Sequence, residues 1–331
     1  MAKLRDIGEF GLIQRLESIL PAKVSKKWTQ GIGDDTAVRR LPGGVHELFT
    51  QDILLEGVHF LPGNLARWEE IGWKALAVNL SDIAAMGGEP IGALVGLGLP
   101  SSAKVEEVEA LYRGIAKCSK KYSCPVIGGD TNASKGGWVI SATVLGETRQ
   151  RPLLRRSARA GDSLWVTGDL GSAALGWKLM QRRKSPVDAQ PFLKRFLTPE
   201  PRMDWGRLLA KSGMVGACID VSDGLAGDLG HLSRASGLGF DVDLNRLPRH
   251  LAFSKLCASM KLKPYELLLA GGEDYELLFT VRAGKETAFQ KLPLSRGVKV
   301  ACIGRARDGT GIRWLEDGIG MKQKPRGFRH F

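Results

Sequence analysis

Acidic residues flanked by glycine recur along this chain, in "GIGDDTAV" (Gly31 to Val38), "NLSDIAAMGG" (Asn79 to Gly88), "GGDTNASKGG" (Gly128 to Gly137), "DVSDGLAGDLGH" (Asp220 to His231) and "AGGEDYELLF" (Ala270 to Phe279). Glycine lets a backbone turn sharply or lets a partner approach it closely. An acid beside it is therefore a turn or cap residue, or a ligand. Any one motif reads readily as a cap or turn. Asp82 resists that reading, because it continues the apolar face of a long helical pattern, where a lone carboxylate is costly to desolvate. Taken together, Asp35, Asp52, Asp82, Asp130, Asp220 and Asp223, with the hydroxyls of Thr50 and Ser222, form a hard-oxygen set. Such a set suits magnesium, which takes one or two carboxylates per ion and completes its shell with water and phosphate oxygens. No histidines stand in HExxH spacing, which argues against zinc.

The chemistry this set implies is the binding of a polyphosphate through metal ions, although a two-metal nuclease or phosphatase would carry similar acids. There is no GxxxxGK[ST] loop and no GxSxG elbow. "VTGDLGSAALG" (Val166 to Gly176) lacks GxGxxG spacing and reads as a tight strand-to-helix turn. His59, in "EGVHF" close behind Asp52, is either packed or a substrate contact. Arg156 is either a surface residue or a planar phosphate grip.

The elements that must position these residues alternate in type. Residues 5–20 have helical spacing, "HELFTQDILL" reads as a strand, and apolar steps of three and four predict a helix from Leu65 to Met86. A second helix is expected over about Lys104 to Lys121, followed by strands "CPVI" and "GWVISATVLGE", with "GGDTNASKGG" between them as a polar loop. After "RRSARAGD" the pattern restarts with strand "SLWVTG" and helix "SAALGWKLM", which puts a domain boundary near residue 150. The second half continues with strand "GACIDV", a helix from Ser222 to Ser236, strand "FDVDL", a helix after Pro264, and strands "YELLFTV" and "VKVACIGRA". A mixed α/β chain of two domains, 1–150 and 151–331, is expected, each with its own core.

The chain has 331 residues, 43% of them apolar and 25% charged, with a net charge of +13. That charge points to an anionic partner. The basic runs "LLRRSARA" and "MQRRKS" are short and lack interleaved aromatics, so nucleic acid is not the expected partner. No apolar run is long enough for a membrane span and the N-terminus does not read as a secretory signal, so a cytoplasmic protein is expected. Five scattered cysteines without CxxC spacing read as reduced thiols.

The motifs in this order resemble the thiamine-monophosphate kinases, within the superfamily that includes aminoimidazole ribonucleotide synthetase. The resemblance runs through "GIGDD", "DILLEGVHF", "NLSDIAAMG", "IGGDT", "RRS", "DVSDGLAGDLGH", "GGEDYELLFT" and the terminal "GFRHF". It implies magnesium-assisted transfer of the γ-phosphoryl group of ATP to thiamine monophosphate. It also implies a two-domain fold of the aminoimidazole ribonucleotide synthetase type, whose N-terminal sheet pairs with its copy in a homodimer. By that pattern Asp35, Thr50, Asp52, Asp82, Asp130, Asp220 and Asp223 bind magnesium, Gly129, Asp130, Arg156, Ser222 and Tyr122 contact ATP, and His59, Glu273 and Phe328 lie near the thiamine phosphate. Gln51 stands where the family often has a hydroxyl residue, so its backbone or a water would serve the metal there, and Phe328 stands where other members present Tyr or Trp.

The acceptor's own chemistry agrees with the residues. A phosphate with a second pKa near ~6 is already largely anionic at neutral pH, so no general base is expected. Repulsion between two polyanions is the obstacle, and metal ions held by acids remove it. Alternatives are another phosphorylated acceptor within the superfamily, a metal-dependent phosphohydrolase, and a basic nucleic-acid-binding protein whose acids merely form turns.

Overall fold

The computed structural model describes residues 3–20, 26–62, 66–182, 187–293 and 297–321. Phe328 and the terminal "GFRHF" lie outside them.

The first half holds β1 (Trp28–Gln30), β2 (Ala37–Arg40), β3 (His46–Leu55), β4 (Glu89–Pro100), β5 (Val126–Ser134) and β6 (Val139–Thr148), with α1 (Leu4–Ile19), α2 (Trp68–Ala85) and α3 (Val105–Tyr122). Its strands form one sheet in the order β1-β2-β3-β6-β4-β5, antiparallel except where β5 runs parallel to β4. Side chains alternate across it. Leu48, Thr50 and Leu54 of β3 are buried, whereas Gln51, Ile53 and Leu55 are exposed on the other face.

The stretch expected as a polar loop is instead β5, a strand at the sheet edge. Glycine makes this pairing feasible, because a Cβ on Gly129 would lie 1.9 Å from the Val95 carbonyl oxygen of β4. Strand register then splits the acids. Asp52, Ala142, Val95 and Gly129 form one row across the sheet, and Ile53, Ser141, Gly96 and Asp130 form the next, facing the opposite way.

Helix α2 covers the buried face and is almost wholly enclosed, with Ile71, Lys74, Ala75, Val78, Asn79, Ser81 and Ile83 all buried. Its position is set by backbone contact. A Cβ on Gly72 would lie 1.9 Å from the Leu111 carbonyl of α3, one on Gly114 of α3 1.9 Å from that of Glu69, and one on Gly206 2.1 Å from that of Ala84.

The second half holds β7 (Ser163–Thr167), β8 (Val215–Asp220), β9 (Gly239–Asp243), β10 (Leu277–Val281), β11 (Val300–Arg307), β12 (Ile312–Glu316) and β13 (Ile319–Gly320). Its helices are α4 (Ser172–Met180), α5 (Gln190–Leu197), α6 (Met203–Ser212), α7 (Leu225–Ser236), α8 (Phe253–Ser259), α9 (Pro264–Ala270) and α10 (Glu286–Gln290). The sheet order is β13-β12-β9-β11-β7-β10-β8. Two of the shifted boundaries lie at the site. Helix α7 starts at Leu225 rather than Ser222, after Gly224 at φ 91°, and β10 starts at Leu277 rather than Tyr275, where Glu273 and Tyr275 adopt positive φ, 67° and 49°.

One apolar core lies wholly in the second half, joining Leu164, Ile219, Leu229, Phe240, Leu256 and Leu268. The other is shared. It runs from Leu48, Leu76 and Ile140 into Trp165, Trp205, Phe279 and Phe289, so the halves do not bury separate cores. All five cysteines are free thiols, four of them buried. No helix among the described residues is long and apolar enough to cross a membrane.

Candidate active site

The acids of three separate motifs converge where α2 meets the ends of β3 and β8. Asp35, from the turn before β2, Asp82, in the last turn of α2, and Asp220, the last residue of β8, bring carboxylate oxygens within 4.8 Å of one another. Thr50 of β3 donates its hydroxyl hydrogen bond to Asp82, and Ser81 Oγ donates to Asp220 Oδ2 at 2.7 Å. The backbone N–H of Asp52 is held by Asn79 Oδ1 at 3.1 Å. Asp223 is close enough to Asp52 to repel its charge.

The electrostatics are those of unneutralised crowding. Burial, reinforced by Asp52, Asp220 and Asp35, pushes the Asp82 carboxyl well above its ordinary range. Burial and then Asp35 raise Asp220 to about 8, and burial and then Asp223 raise Asp52 to about 6. Burial also raises Asp35, against the pull of Arg155, which pairs with it. One oxygen has nothing: Asp35 Oδ2 is buried and without a hydrogen-bond partner among the described residues. Buried carboxylates this close require protons or a cation. An all-oxygen cluster with an unfilled lone pair fits a magnesium ion.

Beside the cluster opens a cleft of about 620 Å³, lined by Gly31 to Asp34, Arg155, His231 and Arg234. His231 stays neutral, since burial and then Arg155 and Arg234 lower it to about 3. Asp34, raised to about 7 by burial and by Asp35, accepts from the Arg155 backbone N–H at 3.2 Å. Cations thus adjoin the acids. Arg155, rather than Arg156, is the arginine at the cluster; Arg156 is exposed and donates to Gln30.

Toward the N-terminal end of α2, around Lys74, lie the residues expected at the acceptor. His59 Nδ1 accepts from the Leu55 backbone N–H at 3.0 Å, and Glu273 donates its backbone N–H to the Ser222 carbonyl at 2.8 Å. Ser222 and Asp223 therefore share a loop contact with Glu273. Buried Lys74 pairs with Glu273 Oε1 at 2.7 Å and donates to the His59 carbonyl at 3.1 Å.

The remaining expected residues lie elsewhere in this chain. Gln51 bonds Ser141 on the exposed sheet face, and Asp130, exposed on β5, accepts from Asn132 at 2.7 Å. Three inter-strand steps of about 4.8 Å each separate the Asp130 strand from that of Asp52. Tyr122 packs against Trp73 and lines a separate cavity of about 440 Å³ with Glu89, Arg202 and Trp205. Sequence reasoning missed Asp34, Arg155 and Lys74. Lys74 had a signal, falling three residues after Ile71 and four before Val78, on the apolar face of the helix.

Residues 33–148 match the family described as AIR synthase related protein, N-terminal domain, and residues 159–314 its C-terminal domain. Thiamine-monophosphate kinase of Aquifex aeolicus (strain VF5) is 37% identical over 339 residues, covering 99% of this chain and 100% of that protein. The Bacillus subtilis (strain 168) enzyme of the same name is 36% identical over 331 residues, covering 98% and 99%. Among solved structures, "AaThiL complexed with AMPPCP and TMP" superposes with a TM-score of 0.86 at 35% identity, over 100% of this chain and 99% of that one. With both family domains in order, full-length identity above a third, and the acids of the shared motifs converging, the chain belongs to the AIR synthase related family and, within it, to the thiamine-monophosphate kinases.

Proposed function

We propose that this protein transfers the γ-phosphoryl group of ATP to the phosphate of thiamine monophosphate, giving thiamine diphosphate and ADP. The observation that carries the reading is the Asp35, Asp82 and Asp220 cluster, with Asp35 and Asp220 buried and one Asp35 oxygen unpartnered, beside a basic cleft. Asp35, Asp52, Asp82, Asp220, Asp223 and Thr50 would hold magnesium. When bound, the metal neutralises both phosphate chains and favours in-line attack.

The chain's own residues supply the rest. Arg155 and Arg234 at the cleft attract the triphosphate, with Ser222 and Arg156 as further nucleotide contacts, and His59 and Glu273 orient the acceptor. No group is asked to take a proton, because the acceptor phosphate is already anionic. The acids come mostly from residues 1–150, and the Ser222 and Glu273 loops from residues 151–331.

Gly129, Asp130 and Gln51 are proposed to meet the nucleotide and its metal in a second copy of this chain, across a homodimer. Two features support this. Strand β5 is an open edge, and Ile53, Leu55, Leu94 and Ile127 are exposed on the same sheet. Mixing Asp82→Asn with Asp130→Asn protein under subunit exchange tests it. Shared sites regain about a quarter of wild-type activity, because half the molecules are hybrids with one intact site each; sites contained in one chain regain none.

The test of the reaction is formation of ADP and thiamine diphosphate by the purified protein with ATP, magnesium and thiamine monophosphate, beside an Asp220→Asn variant and a control without acceptor. Acceptor-dependent product that vanishes in the variant supports the reading. Phosphate release independent of acceptor overturns it in favour of a phosphohydrolase.

A further inference from the structure

Lys74 is 2% exposed, deeper than the substrate-facing groups around it, in a helix position where methionine would pack at far lower desolvation cost. Its three N–H groups are spent on specific partners. The ammonium lies 2.7 Å from Glu273 Oε1, 3.1 Å from the His59 carbonyl oxygen and 3.9 Å from the centre of the Phe196 ring. These partners come from three segments: the loop after β3, α5, and the loop between α9 and β10. The neighbouring Trp73 adds a fourth tie, donating Nε1–H to the Pro199 carbonyl at 2.7 Å just beyond α5.

The Glu273 loop needs holding. Glu273 and Tyr275 both sit at positive φ, 67° and 49°, where non-glycine residues are strained. Two backbone bonds to the Ser222 and Val221 carbonyls, at 2.8 and 2.9 Å, and the Lys74 ion pair oppose that strain. Removing the ammonium would free the Glu273 carboxylate to turn toward solvent and would also take the Lys74 hydrogen bond from the His59 carbonyl.

We propose that Lys74 is the positioning residue of the acceptor subsite, fixing Glu273 and the His59 loop to α2 so that the thiamine phosphate meets a preformed pocket. This rests on the reading of His59 and Glu273 as acceptor contacts. Lys74 itself touches no substrate. It acts on acceptor affinity more than on the nucleotide, whose cleft residues Arg155 and Arg234 stand on other elements.

The test compares wild type, Lys74→Met, Glu273→Gln and the double variant, with Lys74→Arg as the charge-keeping control. Lys74→Met is expected to raise the KM for thiamine monophosphate about 10–100-fold, as misplacement of a binding group does. The Kd of a fluorescent ATP analogue with magnesium should move less than about threefold, which reports that the variant is folded. The double variant should be no worse than the worse single variant, as for two groups acting as one unit, and Lys74→Arg should recover part of the loss. Equal losses in nucleotide and acceptor binding, or additive losses in the double variant, overturn the proposal and leave Lys74 a general packing residue. Hydrogen exchange at the Glu273 and Tyr275 amides, measured without substrates, separates this from the reading beneath it. If wild type does not phosphorylate thiamine monophosphate, that reading fails, whereas at least tenfold faster exchange in Lys74→Met still supports the positioning role and unchanged exchange refutes it.

Discussion

Glu276 and the Asp82–Asp220 pair are carboxylates withdrawn from solvent in this molecule and treated in opposite ways. Glu276 is fully buried, yet Arg202 grips it through Nε and a terminal nitrogen at 2.6 and 2.5 Å, Arg195 pairs with it, and Thr167 donates to it at 2.6 Å. Burial pushes its carboxyl up, but Arg195 and Arg202 outweigh burial and hold it below its ordinary value. Asp220 is buried as well and Asp82 half-buried, with hydroxyl donors and mainly one another for company, and both are raised. The first group is complete within the chain. The second is complete only with a cation from outside: several acids crowd together around an unpartnered oxygen, and that crowding, rather than burial alone, marks a functional site.

The largest expected effect tests that contrast at the acid cluster. Asp220→Asn should lower kcat/KM by at least ~10³-fold, by removing charge that the bound metal and phosphates need. Its thermal midpoint without metal should hold or rise, and a fall of several degrees would mean that Asp220 serves the fold. Glu276→Gln should do the reverse. It leaves two arginines without their counter-ion and should lose about 3–5 kcal/mol of stability in denaturant titration, while the protein that remains folded keeps its turnover. A finer probe is Thr50→Val, which strips the hydroxyl donor from Asp82 without changing shape. A drop in kcat/KM of roughly tenfold is expected, as for groups supporting a metal ligand; an unchanged value would show that the hydroxyl plays no part.

The smallest effect is in pH. A carboxyl whose folded value lies above its unfolded one, near ~4, binds a proton in the folded state that the unfolded chain has lost, so stability falls as pH rises through that interval. With Asp52 at about 6 and Asp220 at about 8, stability in EDTA should fall from about pH 4, and between pH 6 and pH 8 Asp220 alone of the two should still lower the thermal midpoint by a few degrees. Magnesium should remove most of the slope, and so should Asp220→Asn. A slope that neither alters would place it elsewhere in the protein.

Much of this was legible in the sequence. The acids, the strand bearing Asp52 and the long helix bearing Asp82 follow from composition and periodicity, and three motifs far apart in the chain do meet. What was not legible is direction. Asp130 was expected with the others because glycines flank it, but pairing with β4 turns that stretch into a strand and points Asp130 away from Asp52, a consequence of register that only the folded sheet sets. Glu276 shows the same limit. Its partners lie at Thr167, Arg195 and Arg202, and nothing local in "GGEDYELLF" distinguishes it from Glu273 three residues earlier. Lys74, on an apolar helical face, is the overlooked residue that periodicity alone exposes.

The helix that carries Asp82 is seated by bare backbone: Gly72 against α3, Gly114 against the carbonyl of Glu69, and Gly206 against the carbonyl of Ala84. There is no side-chain cushion at these three points to absorb an added methyl group. A saturation scan scored by growth on the product would therefore rank Gly114 and Gly206 with the aspartates, although neither lines the acid cluster or its cleft. Tolerance in this protein is governed by how closely its backbones touch as well as by what binds, and a map of its intolerant positions would outline the α2 mounting as sharply as the reaction centre.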